Sequence, residues 1–529
     1  MSEAPWWQTA VIYQIYPRSF LDSNGDGVGD LPGITSRLDY LATDLDVDAI
    51  WISPFYRSPM ADFGYDVADY CDVDPRFGTL ADFDDLLATA HADGLKVIID
   101  WVPNHTSDQH PWFIESRSSR DNPKRDWYVW AEPDEAGLPP NNWLSVFGGP
   151  AWELDDATGQ FYLHKFLAEQ PDLNWRNAEV EAAMHDTLRF WLDRGVDGFR
   201  LDVAHYIMKD PQLRSNPPAA KHPTGPNLGP YDQQEHRYDK GHPDVHDTFR
   251  RIRSVIDEYE GDRFTIGEIH IFDWEEWAGY YGAGDELHMP FNFSLLYAPW
   301  NAGAFRELVD AMESVLPAHA WPNLVLGNHD EERMMSRYGP ERARVAAMAL
   351  LTLRGTPTMY YGDEIGMEEA TLPSALRQDP WLRAGGATRD GCRTPMQWVG
   401  SPNGGFASQD ATPWLPVGTD LATANVATQL ADPNSLLSLY RDLLSLRHRS
   451  VALHSGDYRP VASPAAVFAY ARRHGTEELI IALNFAAEPQ VVDITAGSRL
   501  VLATTPAAAR LESGSLQLEG NSGAIVVVS

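Results

Sequence analysis

The 529-residue chain carries 41 basic against 76 acidic side chains, a formal net charge of −35, with 43% hydrophobic and 22% charged residues. The length calls for one large domain with appendages or for two to three domains, and the ordinary composition excludes a disordered chain. The excess of carboxylates disfavours nucleic acid, anionic membranes and phosphorylated substrates, so a small neutral partner is expected.

Cys71 and Cys392 are the only cysteines, too few for a disulfide framework and without the spacing of a zinc or redox motif. The N-terminus lacks a basic start followed by an apolar core, and no stretch reaches 18 uninterrupted apolar residues. A cytoplasmic protein with no membrane partner is the expectation.

Strand-like and helix-like runs alternate from the start. AVIYQIYP precedes a helical GITSRLDYLA, and VDAIWISPF precedes TLADFDDLLATAHADG, whose Thr79 is a helix-cap signal. LKVIIDWV follows, and then about seventy residues rich in Trp, Pro, Asn and Gly interrupt the pattern. It resumes with the helix AEVEAAMHDTLRFWLDRG, the strand VDGFRLDV, the helix VHDTFRRIRSVIDEYE and the strand RFTIGEI. WEEWAGYYG, LHMPFNF, AFRELVDAMESVL, NLVLGNHD, ERARVAAMALLTLRG, TPTMYYGDE and SLLSLYRDLLSLRHRS complete about eight strand–helix pairs. At that count a parallel sheet closes into a (β/α)8 TIM barrel. From Val451 onward short strands such as ELIIALNF and AIVVVS predict a small antiparallel β-domain.

Such a barrel carries its site at the C-terminal ends of its strands. Asp202 ends the fourth, Glu268 the fifth and Asp330 the seventh, with Arg200, His329 and His105 nearby in the pattern. Alternation sets Arg200 and Asp202 on one side of their strand and turns Val203 away from it. A guanidinium beside Asp202 favours its ionised form. No Gly–Lys pair exists, so a phosphate-binding P-loop is absent; NGDGVGD has the wrong spacing for a dinucleotide fingerprint; the histidines lack the HExxH spacing of a zinc site. Carboxylates without zinc or a phosphate loop suggest acetal cleavage, one acid protonating the leaving oxygen and one carboxylate attacking carbon or activating water. The loop DSNGDGVGD offers Asp22, Asn24, Asp26, the Val28 carbonyl and Asp30 as oxygen donors for a structural Ca²⁺ or Mg²⁺. It begins like an EF-hand but lacks the glutamate of position twelve. No cofactor is expected for catalysis.

VIYQIYPRSF, SNGDGVGDLPGI, DFGYDV, VPNHTS, QPDLNW, GFRLDV, GEI, LGNHD and RTPMQW together resemble the oligo-1,6-glucosidase and α-glucosidase branch of the α-amylase superfamily, from Trp6 to Ser450. The resemblance implies a barrel over residues 1–104 and 174–450, an inserted B-domain over 105–173 walling one side of the pocket, and a C-terminal β-domain over 451–529. It implies Asp202 as nucleophile, Glu268 as general acid/base, and Asp330 as the carboxylate that orients sugar hydroxyls. Arg200, His105 and His329 would bind the same sugar, Tyr65 would stack beneath it, and Asp62 with Arg393 would close the pocket around a terminal glucose.

The implied activity is an exo-acting, retaining α-glucosidase on short neutral oligosaccharides, with transglucosylation when a sugar replaces water. Valine at position 203 accompanies α-1,6 cleavage in similar families. A sucrose isomerase or trehalose-forming enzyme would share the three carboxylates, but no RLDRLD run is present; a non-catalytic, transporter-associated relative would carry a membrane helix and lose the carboxylates. After Glu268 the run IHIFDWEEWAGYY departs from the branch, and residues 368–391 match nothing in it.

Overall fold

The computed structural model describes residues 4–220, 225, 227–382 and 386–528; three positions of the unassigned 368–391 segment, 383–385, lie outside that description. Eight strands, β1 (Ile12–Ile15), β2 (Ala49–Ile52), β3 (Lys96–Trp101), β4 (Gly198–Leu201), β5 (Phe264–Gly267), β6 (Met289–Pro290), β7 (Asn323–Val325) and β8 (Thr356–Tyr360), form one sheet in the order β6-β5-β4-β3-β2-β1-β8-β7. Every pairing is parallel, and the sheet curls into a nearly closed barrel. Its strands are buried on both faces, as expected where helices cover the outside.

The covering helices begin and end where the sequence signals them. α1 (Leu80–Ala92) opens with a capping box in which Thr79 and Asp82 satisfy each other's backbone amides. α2 (Ala178–Arg194) is capped by Asn177 and stops at Gly195, whose φ of 104° a side chain would resist. α3 (Val245–Ile256), α4 (Ala302–Val315), α5 (Pro340–Thr352) and α6 (Leu436–Arg449) follow the remaining strands and close the circuit. GITSRLDYLA does not form one helix: Thr35 and Ser36 bond back to the carbonyls of Leu31 and Gly33, and a short helix gives way to a π-turn over Tyr40–Leu45.

Between β3 and α2 the chain leaves the barrel and returns. The excursion holds the helix Pro111–Ser118 and a three-stranded antiparallel sheet of Trp130–Ala131, Gln160–Leu163 and Trp152–Asp155. Its two ends meet in the bridge His105↔Asp172. After α6 comes a short helix, Val451–Ser455, then a five-stranded antiparallel sheet that packs on α5, with the Tyr470 hydroxyl 2.6 Å from that of Thr352, and a three-stranded antiparallel sheet that shares a second apolar cluster with it.

Candidate active site

β4 runs Gly198–Leu201, and the Asp202 amide still reaches the Trp101 carbonyl at 2.8 Å before the chain turns. Arg200 points into the barrel mouth. It donates to Asp100 at 2.6 Å, Asp202 at 2.7 Å and Glu268 at 2.6 Å, with all four side chains buried. Arg200, expected beside Asp202 to favour its ionised form, divides its one guanidinium among three carboxylates. Asp100 stands opposite Arg200 in the β3–β4 register and was not picked out from the sequence; a lone charge inside KVIIDW is the signal that points to it.

One guanidinium shared among three buried carboxylates cannot favour the ionised form of all three to the same degree. Burial raises Asp100 to about 6 and Asp202 well above its ordinary value, against the pull of Arg200. Burial acts on Glu268 too, but Arg200 and His270 outweigh it and hold that carboxyl low. The donor count explains the difference. Glu268 accepts from Arg200, from the Val203 amide at 2.9 Å and from His270 at 2.8 Å, whereas Asp202 receives Arg200.

Val203 corrects the alternation expected of it. With φ 36° and ψ 42° it sits in the left-handed region, a rare conformation for a β-branched residue. The strand has already ended, so period-two alternation does not reach it. The turn aims its amide at Glu268 and its side chain into the cavity, against Phe166 and Tyr206.

The cavity measures about 870 Å³ and is lined by Asp62, Tyr65, His105, Asp202, Glu268, His329 and Asp330 among others. Tyr65 stacks on His329, ring centroids 5.5 Å apart, and its hydroxyl lies 2.7 Å from His329 Nε2. Gln14, from β1, donates to His329 Nδ1 at 2.7 Å. His105 donates to the Tyr65 carbonyl at 3.1 Å. Burial pushes His105 down to about 4 and His329 to about 3, so both are neutral hydrogen-bonding rings at neutral pH. Burial opposes ionisation of Asp330, yet Arg389 and Arg393 among its cationic neighbours hold it below the usual range.

Asp62 does not pair with Arg393. Its carboxylate meets Arg389 at 2.7 Å, and Arg389 also reaches Asp379 at 2.6 Å and Asp330 at 3.2 Å. Arg393 lies behind the cavity wall, bonded to the His329 carbonyl at 2.7 Å and to Asp330 at 2.9 Å. Both arginines belong to the 3-10 helix Arg389–Arg393, where three residues make a turn and positions four apart face different ways. Phe147 of the inserted segment stacks on Trp381 with centroids 4.9 Å apart, and the Arg389 guanidinium lies 5.2 Å from each ring. Asp379, Trp381 and Arg389 thus bring the unassigned 368–391 segment to this wall.

The acidic loop lies elsewhere. Asp22 accepts the amides of Asn24, Gly25 and Gly27; Asn24 accepts that of Asp26, Asp26 that of Val28, and Asp30 those of Ser23 and Gly33. Three carboxylates, an amide oxygen and a carbonyl are hard donors of the kind Ca²⁺ and Mg²⁺ take. These side chains are nonetheless turned onto their own backbone, and among the described residues no group of three or more His, Cys, Asp or Glu side chains stands together as an ion-holding cluster. No helix of the described residues is long and apolar enough to cross a membrane.

Residues 14–456 match the family model for the α-amylase catalytic domain. A probable α-glucosidase of Rhizobium meliloti (strain 1021) is 47% identical over 91% of this chain and 90% of its own. An oligo-1,6-glucosidase of Parageobacillus thermoglucosidasius is 40% identical over 92% of each. Among solved structures, the α-glucosyl transfer enzyme XgtA superposes with a TM-score of 0.95 at 44% identity over the whole of both chains. The trehalulose synthase MutB of Pseudomonas mesoacidophila reaches 0.90 at 36% identity, over 99% of this chain and 100% of its own.

Proposed function

The chain belongs to the α-amylase family and is a glycoside hydrolase of the α-glucosidase type, and from that premise we propose an exo-acting, retaining enzyme that frees glucose from the non-reducing ends of short α-glucosides. Isomaltose and other oligo-α-1,6-glucosides are the proposed first substrates, with sucrose and maltose beside them and transglucosylation when a sugar takes the place of water. One observation carries the reading: Asp202 and Glu268 share Arg200 in a cavity that Asp62, Asp330 and Arg389 also line, with Arg389 paired to both Asp62 and Asp330.

In the proposed cycle Asp202 attacks the anomeric carbon as Glu268 protonates the leaving oxygen; water or a sugar hydroxyl then displaces Asp202 and returns its proton to Glu268. Glu268 must carry a proton when the leaving oxygen arrives, and Asp202 must be ionised to attack. Asp330, His105, His329 and Arg389 bind the glucosyl hydroxyls, and Tyr65 supplies the flat face beneath the ring. Arg389 takes the closing role expected of Arg393.

A product profile on isomaltose, maltose, sucrose and starch tests the reading. Glucose should be the early product from isomaltose and maltose and should come with fructose from sucrose, with starch nearly untouched, and on an aryl α-glucoside the freed glucose should be the α-anomer by NMR; mixed oligosaccharides from starch, or early β-glucose from the aryl glucoside, would refute it. Isomerisation of sucrose is the second reading, favoured by the likeness to MutB, and it requires isomeric disaccharides where hydrolysis yields free glucose and fructose.

A structural Ca²⁺ or Mg²⁺ in the Asp22–Asp30 loop is proposed on donor chemistry alone. Chelation should lower the melting temperature, and an unchanged melt with no metal by elemental analysis retires it. Cytoplasmic placement, and the absence of nucleic-acid and membrane partners, are proposed from composition and the charge of −35.

A further inference from the structure

The run after Glu268 brings a histidine, His270, into the cavity. His270 Nε2 lies 2.8 Å from Glu268 Oε1. The imidazole lies flat on Phe293, centroids 4.3 Å and planes 3° apart, and Lys240 donates to its main-chain carbonyl at 3.1 Å. Stack and backbone therefore orient the ring. Its side chain still keeps 29% of its surface open, against 3% for Arg200.

Three donors meet on Glu268: His270 at Oε1, and Arg200 and the Val203 amide at Oε2. Each stabilises the carboxylate over the carboxylic acid. Arg200 is braced by Asp100 and Asp202, and the Val203 amide is part of the backbone turn. His270 is the donor supplied by a side chain outside that network. The titratable and charged groups around it are Glu268 itself, Lys240 at its carbonyl, and His205, whose ring lies 6.1 Å away and which burial keeps neutral. Asp273, Glu276 and Asp330 line the same cavity from the following turn, the following helix and the opposite wall.

A general acid must be protonated in one half of the retaining cycle and ionised in the other. In the first half the bond from carbon to leaving oxygen breaks as the Asp202–carbon bond forms, and Glu268 gives up its proton. In the second, water or a sugar hydroxyl bonds to that carbon, Asp202 departs with its electron pair, and the proton goes to Glu268. We propose that His270 is a positioning residue that biases Glu268 toward its base role, hastening breakdown of the glucosyl–Asp202 intermediate while narrowing the alkaline range in which that intermediate forms. His270 takes no part in the proton transfer itself. The proposal rests on the reading of Asp202 and Glu268 above.

The test compares His270→Ala and His270→Gln, the latter retaining an N–H donor, on isomaltose and on an aryl α-glucoside whose phenol leaves with little protonation. In His270→Ala the alkaline limb of kcat/KM on isomaltose should move up by about one pH unit, the worth of one hydrogen bond to a charge. On the aryl glucoside kcat should fall and a pre-steady-state burst of phenol should appear. His270→Gln should restore both toward wild type. A loss equal at every pH with no burst would mean that His270 merely packs on Phe293, and would overturn the proposal. Glu268→Gln runs in parallel: retention of more than about a hundredth of wild-type rate on isomaltose would sink the acid/base reading itself. An inactive Glu268→Gln beside an unshifted His270→Ala removes the inference alone.

Discussion

Asp202 lines the cavity and takes its hydrogen bond from Arg200, the guanidinium it shares with Asp100 and Glu268. Replacing it by Asn keeps size and hydrogen bonding but removes the attacking oxygen anion. Asp202→Asn should cut hydrolysis of any α-glucoside to below about a hundredth of wild type, with an unchanged circular dichroism spectrum; higher residual activity would assign the attack to another group. The neighbouring Val203 side chain touches the space where an acceptor sugar would lie, between Phe166 and Tyr206. Val203→Thr exchanges a methyl for a hydroxyl at that wall. The ratio of maltose to isomaltose cleavage should rise about tenfold, since a change of this size in a pocket is worth roughly 1–3 kcal/mol of discrimination. An unaltered ratio would detach linkage preference from this position.

At the scale of elements, α6 ends in Arg447, His448 and Arg449, and His448 clamps the turn before β2 through Asp46 at 3.0 Å and Asp48 at 3.2 Å. The hydrogen bond that His448 donates to Asp48 raises His448 from an ordinary 6.5 to about 9, against partial burial. A folded value above the unfolded one means that the contact stabilises fully below about pH 6.5 and is lost as pH climbs through about 9. His448→Gln should therefore melt below wild type at about pH 6, and the gap should close by about pH 10. A gap independent of pH would show that packing, not the charged imidazole, holds α6 to the barrel.

Across the whole molecule, the excursion over residues 105–173 is tied to the barrel by two buried ion pairs. Lys165 meets Asp239 at 2.5 Å, and Lys209 meets Asp172 at 2.6 Å, all four side chains nearly free of solvent. Phe147 lies in that excursion and helps wall the pocket, so the ties connect stability to activity. Lys165→Met would leave the buried Asp239 carboxylate with His236, 3.1 Å away, as its remaining side-chain partner, a loss of up to roughly 3–5 kcal/mol when one partner of a buried pair is removed. Denaturant unfolding should register it, with kcat/KM falling alongside. A double replacement, Lys165→Met with Asp239→Leu, should recover much of the stability, because the uncompensated charge is gone.

Local periodicity carried most of the architecture. Strands of alternating or continuous apolar residues, the Thr79 capping box and the Gly195 stop are set by interactions within a few residues, so eight strand–helix units and the β-rich C-terminus are legible in the chain. The positions of Asp202 and Glu268, each directly after a strand, and of Asp330, in the turn that follows β7, are legible for the same reason, since the barrel gathers strand ends. What the sequence could not settle is which distant groups meet. Asp62 and Arg389 lie 327 positions apart, and the choice between Arg389 and Arg393 depends on a single 3-10 turn. The sharing of Arg200 among Asp100, Asp202 and Glu268 depends on strand register, and the reach of Val203 and His270 to Glu268 depends on a backbone turn and an aromatic stack. Electrostatics in a dry pocket depends on all charges within a few ångströms at once, and only the tertiary structure decides which ones those are.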